Sequence, residues 1–231
     1  MNEQNGLAVN IAESFSDPGS GRVIATAFST TGPGGGETEV IYTACSQISR
    51  VTLRRFPDLV NIRRDTFGVP SSRLPRHANV HRRTVSRITQ WDQAGGYIIA
   101  WDAPALLERI RRYGLTTPER ILDLKVLHRV LFPEYRGRRD LNTLADLLEI
   151  DSTPAAGLVE EAELAAECGD TIMGMMRDGL ISPRELDGSS WDRLMAGQEA
   201  ASARQFVHLC HWMKGQGRDP ASLRAGWPVW E

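Results

Sequence analysis

Residues 22–32 read RVIATAFSTTG, a run of strand-forming residues that leads directly into a Thr-Thr-Gly turn. Valine, isoleucine, phenylalanine and threonine fit the pleated surface of a sheet, and glycine permits the backbone angles of a turn. A buried strand that ends in a polar turn is common and carries no chemistry by itself. This strand and turn become informative about the fold only together with the segments that follow them along the chain.

The residues around this strand predict the rest of an antiparallel sheet edge. Residues 40–46 (VIYTACS) predict a second strand, and either residues 48–56 or residues 58–62 predict a third. These segments are rich in β-branched residues and are bounded by turn formers. Residues 1–20 are polar, contain Gly, Ser and Pro, and lack a sustained period. We therefore expect a poorly ordered N-terminal tail there.

The downstream part of the chain alternates strand and helix. Residues 97–101 (YIIAW) predict a strand that leads into a helix with apolar residues at helical spacing, which ends near Gly114. The later segments repeat a helical apolar pattern, the first of them after a short strand that contains Asp123; they are residues 120–131, 133–150, 156–176 and 190–215. This order predicts an α/β fold in which helices flank a mixed sheet.

In this order the segments resemble the DEDD family of 3′-5′ exonucleases, which has a ribonuclease H-like fold. The family's first motif is a strand that ends in Asp-x-Glu-Thr-Thr-Gly, and Thr30, Thr31 and Gly32 match its turn, which approaches the nucleotide in the family. Ala27 and Ser29 occupy the positions of the two carboxylates. With the flexible tail expected over residues 1–20, the resemblance implies an exonuclease-like domain over residues 21–178 and a helical extension over residues 179–231.

The later motifs of the family are matched in order but not in their acids. Val80, His81 and Thr84 match three members of a Val-His-Gly-Ile-Thr stretch that shapes the substrate side of the family's cleft. Leu106 stands at the position of a metal-binding Asp. In the predicted acidic helix, Ala156 stands at the general-base His and Glu161 at the last Asp; Asp123 keeps the acid of an Asp-Thr pair in the strand before.

The resemblance implies a two-metal site, and the residues of this chain do not supply its ligands. Two Mg²⁺ or Mn²⁺ ions about 3.5–4 Å apart need several hard oxygen ligands. Only Glu161 keeps a carboxylate, and Asp102, four residues before Leu106, is a residual candidate ligand. Ala156 cannot deprotonate an attacking water. We therefore expect a pseudo-exonuclease with no intact catalytic residue and no cofactor; Mg²⁺ or Mn²⁺ would bind only if the site were rearranged.

The basic residues are distributed unevenly along a chain whose net charge is only −2. Residues 50–87 contain ten arginines and two acids, whereas the acids lie mainly in residues 140–192. Such a chain can present one positive face to a polyanion, or its arginines can be scattered over solvated loops. The candidate phosphate contacts are Arg63, Arg64, Arg73, Arg76, Arg82, Arg83, Arg136, Arg138 and Arg139.

Three functions remain open at this point. The first is binding of DNA or RNA, as a single strand or a 3′ end, through sequence-independent phosphate contacts. The second is a protein-interaction subunit of a replication, repair or defence complex, with the C-terminal helix, Trp227 and Trp230 as contacts; homodimerisation belongs with this function. The third is an active exonuclease with a rearranged site.

The composition of the sequence bears on where the protein is located in the cell and on the state of its cysteines. The sequence has no apolar run of bilayer length and no N-terminal signal, so we expect a cytoplasmic protein without a membrane partner. Its three cysteines are widely spaced, which favours reduced thiols. His208, Cys210 and His211 lie close together on a predicted helix, but without a further ligand pair they favour packing over a metal site.

Overall fold

The computed structural model describes residues 5–14, 22–31, 36–42, 77–111, 114, 116–155, 157–180, 190–222 and 227. The strands in these ranges are β1 (Gly6–Ser14), β2 (Arg22–Thr30), β3 (Thr38–Tyr42), β4 (Tyr97–Ala100) and β5 (Ile121–Asp123). The α-helices are α1 (His77–Gln93), α2 (Ala103–Arg111), α3 (Leu124–Leu131), α4 (Leu141–Leu147), α5 (Leu158–Arg177) and α6 (Trp191–Gly215). None of these helices combines the length and hydropathy needed to cross a bilayer.

The five strands form one mixed sheet in the order β3-β2-β1-β4-β5. β1 runs antiparallel to β2, and β2 runs antiparallel to β3. On its other side β1 runs parallel to β4, which in turn runs parallel to β5. β1 is therefore the strand where the antiparallel and parallel halves of the sheet meet. The predicted α/β class, a mixed sheet flanked by helices, is confirmed.

The central strand lies in the segment that was predicted to be a flexible tail, and that prediction is wrong for Gly6–Ser14. Leu7 and Ala8 are fully buried and Val9 nearly so. Polar and turn-forming residues on both sides of this short strand dilute its apolar signal, and its burial comes from packing against both sheet neighbours rather than from local pattern. The predicted second strand begins earlier, at Thr38, and the predicted third strand lies outside the described residues.

Each face of the sheet is covered by its own set of helices, as the two-residue repeat of a strand requires. Leu7, Phe28 and Ile98 pack with α1 and α2 on one face. Ala8 and Ile99 pack with α3, α4 and α5 on the other face. The predicted strand-helix pairs are confirmed as β4 with α2 and β5 with α3, and the predicted acidic and C-terminal helices as α5 and α6. Gly114 has φ +88°, as expected of a helix-terminating glycine.

α6 covers the β5 edge of the sheet through a buried glutamine. The Gln198 side chain donates to the Ile121 carbonyl at 2.9 Å and accepts from the Asp123 backbone N–H at 2.8 Å. One amide side chain thus makes the two hydrogen bonds that another strand would make to β5. Because unpaired backbone groups on a buried edge are costly, Gln198 joins the predicted C-terminal extension to the sheet.

The closest approach of α5 to the sheet gives a test of this packing. An alanine Cβ at Gly169 would lie 2.7 Å from Ile99 Cδ1 and 3.2 Å from Ile99 Cγ1, whereas the nearest atom at Gly174 would be 3.7 Å away. We expect Gly169→Ala to lower the free energy of unfolding by ~1–3 kcal/mol through overpacking. Gly174→Ala, in the same helix, should raise it by up to ~1 kcal/mol. Urea denaturation of both variants checks this; equal effects would contradict the packing of α5 on β4.

Candidate nucleic-acid interface

The carboxyl ends of the parallel strands β4 and β5 meet at one edge of the sheet, where Ala100 is level with Asp123. We call this the carboxyl edge; it comprises Trp101, Asp102, Asp123, Lys125 and the first turns of α2 and α3. An aspartate caps each helix here. Asp102 Oδ1 accepts from Ala105 N at 3.1 Å, and Asp123 Oδ1 accepts from Lys125 N at 3.1 Å. Asp102, just after β4, and Asp123, the last residue of β5, thus cap the starts of α2 and α3.

Asp123 is buried and receives N–H groups on both carboxylate oxygens. Its Oδ1 also accepts from Val126 N at 3.2 Å, and its Oδ2 accepts from Ala103 N at 3.3 Å. The indole Nε1 of Trp227 donates to Oδ2 at 3.0 Å. Trp227 is only 8% exposed, which corrects its predicted role as an exposed protein contact. Trp230 lies outside the described residues.

Burial dominates the electrostatics of Asp123. It raises the pKa of the carboxyl group to about 7, while the hydrogen bond from Trp227 lowers the pKa and the neighbouring charge of Asp102 raises it further. The two oxygens of this carboxylate have no direction left for a metal ion, since four N–H groups already occupy them. Asp123 is therefore a structural group.

Asp102 is bound by a cation that the chain itself supplies. Lys125 Nζ lies 2.5 Å from Asp102 Oδ2, and the side chains are 42% and 23% exposed. The backbone N–H of Lys125 also donates to the Trp101 carbonyl at 3.0 Å. The residual metal ligand predicted at Asp102 is thus paired with an ammonium group. Among the described residues, no three His, Cys, Asp or Glu side chains group closely enough to hold a metal ion.

An aromatic cluster extends from the carboxyl edge along α3. The His128 ring is fully buried, with ring centroids of Trp101, Phe132 and Tyr135 at 6.0, 6.1 and 5.8 Å. Neither ring nitrogen of His128 has a hydrogen-bond partner. Burial, and secondly the charge of Arg139, lower the pKa of His128 to about 4, so this ring is neutral at physiological pH. It is a core residue rather than a proton carrier.

Arg139, predicted as a phosphate contact, closes the C-terminal end of α3. It donates to the carbonyls of His128, Phe132 and Tyr135 at 3.1, 2.9 and 2.6 Å. A guanidinium that donates to one carbonyl in the last turn of α3 and to two carbonyls just beyond it is a structural cap.

The strand directions correct the predicted grouping of the first motif with the rest of the site. Thr30 is level with Leu7, which is in turn level with Ile98. Because β2 runs opposite to β1 and β4, the Thr-Thr turn lies where β1 begins, at the sheet edge opposite Asp102. Thr31 Oγ1 accepts from Gly6 N at 2.7 Å. The predicted nucleotide-binding turn instead fastens the start of the central strand.

The Thr30 side chain likewise serves the fold, since its hydroxyl accepts from Glu37 N at 3.0 Å across the β2–β3 hairpin. β1 is the strand that lies beside β4 at the carboxyl edge. The β1 residues after Val9 therefore lie where the sequence analysis had placed Ala27 and Ser29. Asn10 is level with Ala27. The Thr-Thr-Gly motif matches the family in residue type, but residue types do not reveal whether a strand runs parallel or antiparallel to its neighbours.

The sheet separates Leu106 from the other predicted catalytic positions, because Ala27 and Ser29 alternate with Phe28 along β2 and so face α5. Ala27 and Ser29 are buried in β2. Leu106 is 6% exposed and packs in the apolar core beside α1. Glu161 lies in the first turn of α5, on the opposite face. Gly32 and Ala156 lie outside the described residues.

The described arginines do not form a single face. Arg82 and Arg83 are exposed on α1, and Arg83 pairs with Glu39 at 3.7 Å. Arg136 and Arg138, which pair with Glu134 at 3.6 Å and Asp140 at 3.1 Å, follow α3 on the other face of the sheet. His81 lies on α1 with Arg82. Four further predicted contacts lie outside the described residues: Arg63, Arg64, Arg73 and Arg76.

The solved structures similar to this arrangement of strands and helices include exonucleases. A full-length 3′-exonuclease superposes with a TM-score of 0.50 at 12% identity, over 76% of this chain and 83% of that chain. The chain has the fold of the 3′-5′ exonucleases. The resemblance to the DEDD, ribonuclease H-like group is confirmed at the level of fold.

Two other structures with this exonuclease fold align less closely. A 3′-exonuclease solved for 3′-end specific recognition of a histone mRNA stem-loop has a TM-score of 0.49 at 13% identity, over 76% of this chain and 83% of that one. Pop2p of S. pombe, in a form with Mg²⁺ and Mn²⁺ bound, has a TM-score of 0.49 at 12% identity, over 78% and 86%. No protein-family model and no curated protein matches the sequence.

Sequence reasoning missed Lys125 at the carboxyl edge and His128 in the aromatic cluster beside it. Lys125 is one of only two lysines, which was a signal of a special position. His128 falls on the apolar repeat of LKVLHRVL, which predicts burial. The partner of each group comes from another segment, so neither pairing could be seen along the chain.

Trp227→Phe tests the structural role of Asp123. Removing the indole N–H leaves a buried carboxylate oxygen short of a donor, so we expect the free energy of unfolding to fall by ~1–3 kcal/mol. Trp91→Phe is the matched control, because the Trp91 indole donates to the exposed Asn5 carbonyl, where water can replace it. Urea denaturation should show less than ~0.5 kcal/mol for the control. Equal losses would contradict the assignment.

His128→Leu tests the buried neutral histidine. The unfolded chain protonates this side chain as pH falls through 6.5, but the folded chain does so only near pH 4, so stability is lost as pH falls across that interval. We expect His128→Leu to remove ~3 kcal/mol of this loss. Near pH 7.5 the variant should lie within ~1 kcal/mol of the parent, because no hydrogen bond is lost.

The measurement for this variant is the difference between parent and variant stability across pH. Asp123 contributes the opposite slope, since its raised pKa favours the folded state at low pH and this stability is lost as pH rises from 3.8 to about 7. That contribution is common to both proteins and cancels in the difference. A pH-independent difference would show that His128 is not buried in the neutral form.

Proposed function

We propose that this chain binds nucleic acid, as a single strand or a 3′ end, with the fold of a 3′-5′ exonuclease but without its hydrolysis. The observation that carries the proposal is the Asp102–Lys125 ion pair at the carboxyl edge. The Lys125 ammonium is paired with the Asp102 carboxylate, which a metal ion would need as a ligand. The Asp123 carboxylate nearby already accepts hydrogen bonds from four N–H groups.

The charges at the carboxyl edge oppose metal-dependent hydrolysis. Two divalent ions require several carboxylates to offset their charge. At the carboxyl edge Lys125 instead brings a positive charge, and displacing it would cost the ion pair before any metal bound. The described part of the site therefore favours a protein that binds nucleic acid and does not hydrolyse it.

The same groups that exclude metal ions suit a phosphate and a base. Lys125 is 42% exposed and lies beside the first turns of α2 and α3, whose dipoles favour an anion. Trp101 is partly exposed at the end of β4 and offers a ring for stacking a base. We propose that these two side chains contact one nucleotide, with the exposed Arg82 on α1 as a more distant phosphate contact.

The test uses 3′-labelled single-stranded DNA and RNA with Mg²⁺, Mn²⁺ or EDTA, reading gel shift and strand length at two salt concentrations. We expect a salt-sensitive shift in all three conditions and no shortening. Lys125→Gln should weaken binding by ~3–10-fold and reduce the salt slope by about one. Arg111→Gln, at the far end of α2, removes the same charge and should leave binding unchanged.

Two outcomes would overturn the proposal in different ways. Metal-dependent shortening that disappears in Asp102→Asn or Glu161→Gln would establish an active exonuclease with a rearranged site. Absence of any shift with both DNA and RNA would exclude nucleic-acid binding. The alternative of a protein-interaction subunit is favoured by a separate observation, the apolar surface of α6.

A further inference from the structure

The C-terminal half of α6 extends beyond the helix that it packs against. Ala201 packs with Val126 of α3, and one turn later Gln205 accepts a hydrogen bond from Arg129 Nη1 at 3.1 Å. α3 ends within one turn of Arg129, whereas α6 continues for about 15 Å beyond Gln205. No residue of α6 after Ala201 is buried. The side of α6 that faces α3 therefore continues as exposed surface.

Two exposed residues, His208 and Trp212, continue this α3-facing side of α6. At about 100° per residue, both lie within ~20° of the direction of Ala201 around the helix axis. Trp212 is 54% exposed, and the guanidinium of Arg218, just beyond the helix, lies 5.9 Å from its ring centroid. An exposed indole with a cation against its ring is a group on which a nucleic-acid base can stack.

Positive charge connects this surface to the carboxyl edge. Lys125 is 42% exposed, and Arg129, one turn later in α3, is exposed on the same side of that helix. Residues 124–133 and 200–218 contain no acid. Glu134, which follows the first of these segments, is paired with Arg136. A phosphate on this side of α3 and α6 therefore meets cations from both segments and no carboxylate from either.

The other exposed apolar residues of this part of α6 point elsewhere. Val207 and Leu209 are 49% and 42% exposed, and they lie about 120° and 80° around the helix from Ala201. They belong to the apolar surface that favours a protein partner. The α3-facing side instead combines one indole with basic and polar groups, which is typical of surfaces that bind single strands without sequence preference.

We propose that a single strand bound at the carboxyl edge continues along α3 and α6, with a phosphate on Arg129 and a base stacked on Trp212. We call this surface the α3–α6 track; it comprises Lys125, Arg129, His208, Trp212 and Arg218. The inference rests on the proposed function and extends it from one nucleotide to several. Four residues of α3 and seven of α6 span about 16 Å, which matches about five nucleotides at the ~3.4 Å spacing of a stacked strand.

Fluorescence-anisotropy titration of the full chain tests the track, with labelled oligothymidylate and oligouridylate, each as a trinucleotide and an octanucleotide. We expect the octanucleotide of at least one series to bind ~10-fold more tightly than its trinucleotide, and Trp212→Ser to remove most of this difference. Trp212→Phe should keep most of it, because a phenyl ring still stacks. Arg129→Gln should weaken octanucleotide binding ~3–10-fold and reduce the salt slope by about one.

Val207→Ser is the matched control, because it removes an exposed apolar side chain from another side of the same helix and should leave both affinities unchanged. Octanucleotides that bind no more tightly than trinucleotides would overturn the track and leave α6 to a protein partner. The proposed function would survive that result if Lys125→Gln weakened binding at both lengths. Equal losses in Trp212→Ser and Val207→Ser would also overturn the track, and absence of binding at either length would overturn both proposals.

Discussion

The buried carboxylate of Asp123 is the interaction on which the rest of this structure depends. Its oxygens accept from Ala103 of α2, from Lys125 and Val126 of α3, and from Trp227 near the C-terminus. Its backbone N–H donates to Gln198 of α6. One residue at the end of an edge strand thus fixes two helix starts, the covering helix and the C-terminal segment. A charge or dipole so completely surrounded is costly to disturb.

This arrangement also decides what the carboxyl edge can do chemically. Because Asp123 is spent on structure, Asp102 is the remaining acid directly after the parallel strands, and Lys125 neutralises it. A site built this way presents an exposed ammonium and a tryptophan rather than a ring of oxygen ligands. The sheet and helices therefore have the fold of the 3′-5′ exonucleases, while the described residues at the carboxyl edge include no group of metal ligands.

The part of the fold that could be predicted is the part whose signals are local. β4 with α2 and β5 with α3 each combine an apolar run, an aspartate cap and a helical repeat within a few residues. β1 could not be found, because its burial depends on neighbours on both sides. The Thr-Thr turn was placed at the wrong edge of the sheet, since residue types do not record whether a strand runs parallel or antiparallel. Trp227 was expected to be exposed because its hydrogen-bond partner lies 104 residues away.

Titration of Mn²⁺ into the full chain, followed by the electron paramagnetic resonance signal of free Mn²⁺, measures whether the carboxyl edge binds a divalent metal. Because Lys125 is paired with Asp102, we expect free Mn²⁺ to rise in proportion to what is added, with no saturable uptake in the protein or in Asp102→Asn. Saturable uptake of two ions per chain that Asp102→Asn abolishes would contradict it, because Lys125 would then yield its carboxylate to a metal.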